Sequence, residues 1–437
     1  MKTYQSCTIG LLGLLGASGC DVVLGMDPGQ LDPIRTVSGV LSKDATWKAD
    51  QVTTLEGIVY VDSGATLTIE EGTRIVAKKG AALYVRRGGK LVARGTKEKP
   101  IVFTSAASSR APGDWHGVYL CGRAPINGVP STGYTPDTIP SYQGEGQVPE
   151  EDRCGGDISE DSSGEVRFVR IEFTGAENPW GGASAGLELA GVGSGTVVDH
   201  VQVHATVDDA VVMFGGTVQL KYVLVTRGLE DAFDWAYGWR GKAQFVAAWS
   251  SDDGFEGGAD EMDALDKSPN DDMPSNAMIY NATLVGDPNT GSIGLNLESG
   301  IQGKFYNVLV ANFFDYGVSI ELDATKDNAV AGTLDVRNSI FSNPVNFDPR
   351  TLSGAWQAQT WLMTEDPTRM NRALPEGKHG IRSLTPGALD FSLVDGAPGL
   401  SGAAAPPDDG FFEPVNFVGA CGATCPEFEG WTDEPVD

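Results

Sequence analysis

Positive charge is scarce in this chain. Lys and Arg number 31 against 59 Asp and Glu, giving a formal charge of −28 and a pI near 4.4. That balance excludes electrostatic binding to nucleic acid or to an anionic membrane face, and suits cations, basic partners and neutral glycans. Long apolar runs are missing after the first twenty residues, so nothing beyond them reads as a membrane span. There is no HExxH, no EF-hand pattern, no glycine-rich calcium nonapeptide and no phosphate-binding loop. Helical periodicity is also wanting through the middle of the chain, where apolar residues alternate instead. Glycine is plentiful, at 57 residues without a collagen period, which fits a chain with many tight turns.

The exception to the lack of apolar runs is the start, MKTYQSCTIGLLGLLGASGC. Lys2 supplies a charged beginning, Thr8 to Leu15 a short apolar core, and Ala17-Ser18-Gly19 a small-residue cleavage site. Because Cys20 follows that site, residues 1–19 resemble a bacterial lipoprotein signal with Cys20 as the lipid-bearing residue, although Ala17 stands where such signals usually carry Leu. The expectation is an exported protein of the cell envelope, held to a lipid bilayer and placed at the outer membrane. Removing the signal takes Cys7 with it and leaves Cys121, Cys154, Cys421 and Cys425. An even count in an oxidising compartment points to two disulfides. Three pairings are open, and Cys121–Cys154 with Cys421–Cys425 is favoured because each staples a turn-rich segment. A metal site is the weaker reading, since no CxxC and no neighbouring His pair accompanies them.

Acidic pairs recur at a fixed interval. Asp208-Asp209, Glu230-Asp231 and Asp252-Asp253 stand 22 residues apart, each followed by a small residue and then a hydrophobic one. Between them lie alternating segments such as TVVDHVQVHATV, VQLKYVLVTRGL and AQFVAAWSSDDG, and a second series, DAVVMFGG, DAFDWAYG and DGFEGGA. A repeat of 22 residues holding two or three short strands and no helix predicts an all-β chain: a right-handed parallel β-helix solenoid with long loop excursions and a loop-rich C-terminal cap. An immunoglobulin-like sandwich would not explain like residues returning at that interval. The expected organisation is a signal over 1–19, a tether and N-terminal cap over 20–50 and the solenoid over 51–345. Excursions fall at 123–163 and 257–275, and a capping segment occupies 346–437, with a short helix expected in WQAQTWLMTEDPTRMNRAL.

The run VYVDSGATLTIEEGTRI…LVARGTKEKPIVFTS…GDWHGVYLCGRAPIN, the repeat just quoted and the late GFFEPVNFVGA with Trp431 together resemble a family of exported bacterial β-helix proteins. That family is similar to pectate lyases in fold, and its members are mostly of unknown activity. Extracellular β-helix lyases bind Ca²⁺ with acids on one face, beside an Arg or Lys that abstracts a proton next to a uronate carboxylate. The resemblance thus implies a chemistry to test: calcium neutralises that carboxylate and acidifies the proton.

On the residues themselves, stacking puts Asp209, Asp231 and Asp253 at one station of three coils, with Asp208, Glu230 and Asp252 just before them and Asp234 and Glu256 just after. Carboxylates one coil apart repel by roughly 1 kcal/mol in water and roughly 3–4 at an effective dielectric near 20. Two arrangements offset this: backbone N–H groups donated to each Asp, or a bound Ca²⁺ with six to eight oxygens. Candidate bases near the column are Arg227, Arg240, Lys242 and Lys221, though Arg resists deprotonation. Trp235, Tyr237, Trp239 and Trp249 form either a platform for sugar faces or bulky core, with Asp234 and Trp235 on opposite sides of their strand. His200 and His204, without a third ligand, read as structural, and Ser184 in GGASAG sits in a glycine-rich loop rather than on a nucleophile elbow. The expected function is non-catalytic: surface binding, adhesion or scaffolding, with polysaccharide or surface proteins as partners. The alternative is a Ca²⁺-dependent polysaccharide lyase or a glycoside hydrolase on the same acidic face.

Overall fold

A computed structural model describes residues 34–127, 150–176, 185–249, 253–257, 273–287 and 292–434. Within them twenty-five strands pair in one continuous parallel ladder that winds as a β-helix. Each full coil has three strands. Residues 219–221 belong to the first sheet, 223–226 to the second and Phe233–Ala236 to the third, and residues 242–244 open the next coil. The register repeats the sequence interval: Val201 pairs with Val223 and Gln202 with Leu224 in the second sheet, and Val211 pairs with Phe233 in the third.

Alternation decides which side chains enter the coil. Val201, Val203, Val223 and Val225 point inward and are fully buried, as are Val211 and Leu187 on the third sheet. Like residues therefore stack over like residues, and along the paired strands backbone N–H groups donate to carbonyls one coil away. The first and second sheets meet at a corner one residue wide. That residue adopts a left-handed conformation in coil after coil: Phe168, His200, Tyr222, Phe245, Asn281, Asn307 and Asn338 have φ between 49° and 61°. Asn tolerates this region better than most residues, whereas the aromatic ones adopt it only because the surrounding ladder and stacking hold them there.

Several boundaries differ from the sequence expectation. The ladder starts before residue 51: strand Ile34–Leu41 pairs in parallel with Val52–Val61, so the first coil occupies part of the presumed tether and cap. Its alternation is weak because much of the strand faces solvent at the open end. An α-helix, Leu322–Ala331, fills the third turn of a late coil, and Gly332 closes it with a left-handed φ of 76°. Sequence reasoning placed no helix there, because its apolar residues do not recur at helical spacing. The helical turns over Ala358–Glu365 agree with expectation, and Trp361 and Leu362 close the core at that end. The rest of the tail does something else. After the hairpin Ile381–Thr385 with Ala388–Leu393, residues 398–434 run along the side of the solenoid and cover the corner between the first two sheets. The reason is the apolar corner column itself, which has to be buried somewhere.

Both disulfides form as expected, Cys121–Cys154 and Cys421–Cys425. The first pins the excursion that leaves after the strand Val118–Cys121 and rejoins the ladder at Gly164–Glu172. Residues 258–272 of the second excursion, Cys20 with the whole 1–33 segment, Ser184 and Asp252 lie outside the described residues.

Candidate functional site

The turn between the second and third sheets carries the acids. Asp209, Asp231 and Asp253 are superposed, as their spacing requires: Ala210 N donates to Asp231 O at 2.8 Å and Ala232 N to Asp253 O at 2.9 Å. Two of the carboxylates serve the backbone of the coil above. Asp209 Oδ1 accepts from Asp231 N at 3.1 Å and Asp253 Oδ1 accepts from Ile293 N at 2.6 Å. Charge-assisted bonds of this kind offset part of the repulsion along the column.

The cluster divides in two. Asp208, Asp209 and Glu230 form one group and Asp231, Asp253 and Glu256 the other, each with oxygens within 4.8 Å of one another. Asp231 is buried, at 9% exposure, while Glu230 beside it is exposed. Burial pushes the Asp231 carboxyl well up, and the hydrogen bond to Glu256 and the charges of Asp209, Glu256 and Asp253 push the same way. Asp234 sits opposite Glu256 in the ladder, on the outer side of the third sheet, and is buried and outside both groups.

The predicted bases scatter. Arg227 opens the acid turn, with a left-handed φ of 57° and its N–H donated to Trp249 O at 3.0 Å. Lys221 and Lys242 lie on the first sheet, a full strand away, and point toward the tail: Lys221 Nζ meets Glu413 at 2.7 Å and Lys242 Nζ meets Asp409 at 2.7 Å. Arg240 belongs to the turn between the third and first sheets, where burial lowers its pKa.

The aromatic platform does not exist as a surface. Trp235 and Trp239 are fully buried in the core, with Trp235 5.9 Å from Phe305 and Trp239 Nε1 donating to Val218 O at 3.2 Å. Strand alternation turns Trp235 inward when Asp234 faces outward, which is the opposition expected from the sequence. Tyr237 packs edge-on against Phe214 at 5.3 Å, and Trp249 packs against the tail cluster on a different sheet. His204 is buried against Thr226 Oγ1 at 2.8 Å, and His200 belongs to the corner column.

That column is the feature sequence reasoning missed. Phe168, His200, Tyr222 and Phe245 stack at successive centroid distances of 4.3, 4.5 and 5.2 Å. Above them Asn281, Asn307 and Asn338 each donate Nδ2 to a tail carbonyl, those of Phe417, Ala404 and Gly402. Trp431 closes the lower end against Phe168 at 5.7 Å. The signal was present in MIYN, KFYN and DVRN, where Asn recurs at the position held lower down by an aromatic ring. A cavity of about 490 Å³ lies where the tail and hairpin leave the second sheet, lined by Gln202, Thr226, Phe391 and Phe428 among others. None of the acid-turn carboxylates lines it.

A sequence-family model described as a pectate-lyase-like beta helix domain matches residues 39–371. The chain belongs to the pectate-lyase-like β-helix family. Among solved structures it is similar to pectate lyase Pel9A, at 12% identity over 86% of this chain and 88% of that one, with a TM-score of 0.36. It is also similar to the Dettilon tailspike protein, at 12% identity over 74% of this chain and 57% of that one, with a TM-score of 0.24. No curated protein matches in sequence. Family membership fixes the coil architecture and leaves the activity to be argued from the site.

Proposed function

We propose that the protein is an envelope-anchored member of this family that binds a surface ligand, with glycans the best-matched class, rather than cleaving it. The observation that carries this reading is the fate of the candidate bases: Lys221 and Lys242 are held in ion pairs by the tail, across a strand from the acids. The acid turn then serves as a cation-dependent binding face. Asp231, Asp253 and Glu256 offer oxygens close enough to share one hard cation, and Asp208, Asp209 and Glu230 offer a second set. Calcium bound there would neutralise the column and present positive charge to an acidic or hydroxyl-rich ligand. Two disulfides suit an oxidising compartment, which supports export and an anchor at Cys20 of an outer-membrane lipoprotein.

A polysaccharide panel with added Ca²⁺ tests the reading directly. Saturable binding without new ultraviolet absorbance or new reducing ends is the expected result. Absorbance from unsaturated products would instead establish the lyase, the second reading, which Arg227 in the acid turn and the family favour. Calcium is tested separately: the melting temperature should rise with Ca²⁺ and fall with chelator, and Asp231→Ala should abolish the difference. A wild type indifferent to both would remove calcium. Cys20→Ser should release the protein from membranes, and unchanged partitioning would contradict the anchor.

A further inference from the structure

In so acidic a chain a guanidinium group readily finds a carboxylate, and Arg86, Arg94, Arg167, Arg337 and Arg350 all form ion pairs. Arg74 and Arg110 are half-buried, and among the described residues neither guanidinium takes an ion pair or a hydrogen bond. The charge of Arg110 acts on Arg74, and a third arginine shares the column of Arg74. Arg74 pairs with Val102 in the second sheet, and Val102 pairs with Arg170 one coil on. All three face outward, because Ile75, Phe103 and Ile171 beside them are core residues at 0–1% exposure. Two guanidinium stems thus stand two coils apart, roughly 10 Å along the ladder, over the side chain of Val102. Arg110 arrives from the loop after strand Ile101–Ser105. That loop is fastened to the end of the next coil by Gly113 N donating to Thr174 O at 2.8 Å and Asp114 N to Phe173 O at 3.2 Å.

Arg170 is the fixed wall. Its Nε lies 3.0 Å from Glu172 Oε1 and a terminal nitrogen lies 3.3 Å from Asp433. Glu172, at 2% exposure, lies within ion-pair distance of Arg170 and acts on Arg74 as well, so one carboxylate is shared between two guanidinium groups. Arg74 therefore faces an excess of positive charge: burial lowers its pKa first, the Arg110 charge next, and Glu172 offsets only part of this. Half-burying neighbouring cations with only one shared carboxylate among them is unfavourable, and a bound oxyanion removes the conflict. The planar guanidinium fork matches the paired oxygens of carboxylate and sulfate groups.

We propose that Arg74 and Arg110, walled by Arg170 over Val102, form a binding site for an oxyanion, either free or carried on a sugar chain. The site is distinct from the acid turn in charge and in strands, and does not depend on calcium.

The test is calorimetric titration of the full chain in chelator at fixed ionic strength. One arm uses sodium sulfate and the other a glucuronate-bearing hyaluronan tetrasaccharide. Saturable single-site binding is expected, at least tenfold weaker in Arg74→Gln and in Arg110→Gln and unchanged in Lys79→Gln, an exposed cation elsewhere. Equal affinity for both probes identifies a site for the free ion, and binding of the tetrasaccharide alone identifies a sugar-borne carboxylate. Arg110 stands on a loop, so its variant keeps the ladder intact and tests the site even if Arg74→Gln folds poorly. No saturable binding of either probe, or equal weakening in Lys79→Gln, overturns the proposal.

Discussion

Two turns of the same coil repeat at the same spacing and end in opposite states. At the corner between the first and second sheets, stacked rings and asparagines are sealed under the tail, with Trp431 against Phe168 and Asn307 held by Ala404. At the turn between the second and third sheets, stacked acids are left open enough for Glu230 to reach solvent. Stacking by itself is neutral: it multiplies whatever the repeated residue brings. Rings one coil apart attract and demand a cover, whereas carboxylates repel and demand donors, protons or cations. The corner is accordingly the stabilising half of the coil and the acid turn the costly half, and costly arrangements that persist are where function is most reasonably sought.

The largest test of this contrast removes the cover. Ending the chain after Ala397 exposes Phe168, Tyr222 and Phe245, at roughly 1.5–3 kcal/mol per side chain. The melting temperature should fall by more than about 10 °C and dye binding to apolar surface should appear. A truncated chain that melts with the full one would make the corner incidental. A smaller effect separates the turns residue by residue. Asn307→Ala loses two hydrogen bonds to Ala404, at 2.9 and 2.7 Å, and a residue suited to its left-handed φ. It should cost about 3 kcal/mol in denaturant unfolding. Asp209→Ala also loses a bond, to Asp231 N, but relieves repulsion, so its cost should stay below about 1 kcal/mol. Equal costs would erase the distinction.

The smallest effect has the opposite sign. Between its ordinary value of 3.8 and its raised folded value, Asp231 is protonated in the folded protein and ionised in the unfolded chain. The folded state then binds more protons, so stability declines as pH rises through that window. Asp231→Asn cannot ionise; it should flatten that slope and stabilise the metal-free protein near pH 8 by about 1 kcal/mol, with little change near pH 3. Destabilisation at pH 8 would show that the carboxyl is charged and paired.

The acid turn was legible in the sequence because one residue type repeats there: Asp209, Asp231 and Asp253 announce their own spacing. The β-helix followed from that interval; the cysteine count gave two disulfides, and their pairing followed from the turn-rich segments each one staples. The corner was hidden because its members share a backbone angle rather than a chemistry, so Phe168, His200 and Asn281 look unrelated until their φ values are known. Trp235 and Trp239 misled for a related reason. Alternation says that Trp235 opposes Asp234 across the strand but not which of them enters the coil. The Lys221 and Lys242 pairs with Glu413 and Asp409 span 192 and 167 residues, beyond any local pattern.

Those spans bear on how the molecule comes together. A solenoid can ordinarily zip from one coil to the next, each needing only its neighbour. Here Lys97 binds the carbonyl of Pro426, 329 residues later, and Arg170 meets Asp433. The rings of early coils therefore stay uncovered until residues 398–434 have been made. Burial of the corner is thus contingent on a distant segment, and a chain interrupted before it is left adhesive along one whole edge.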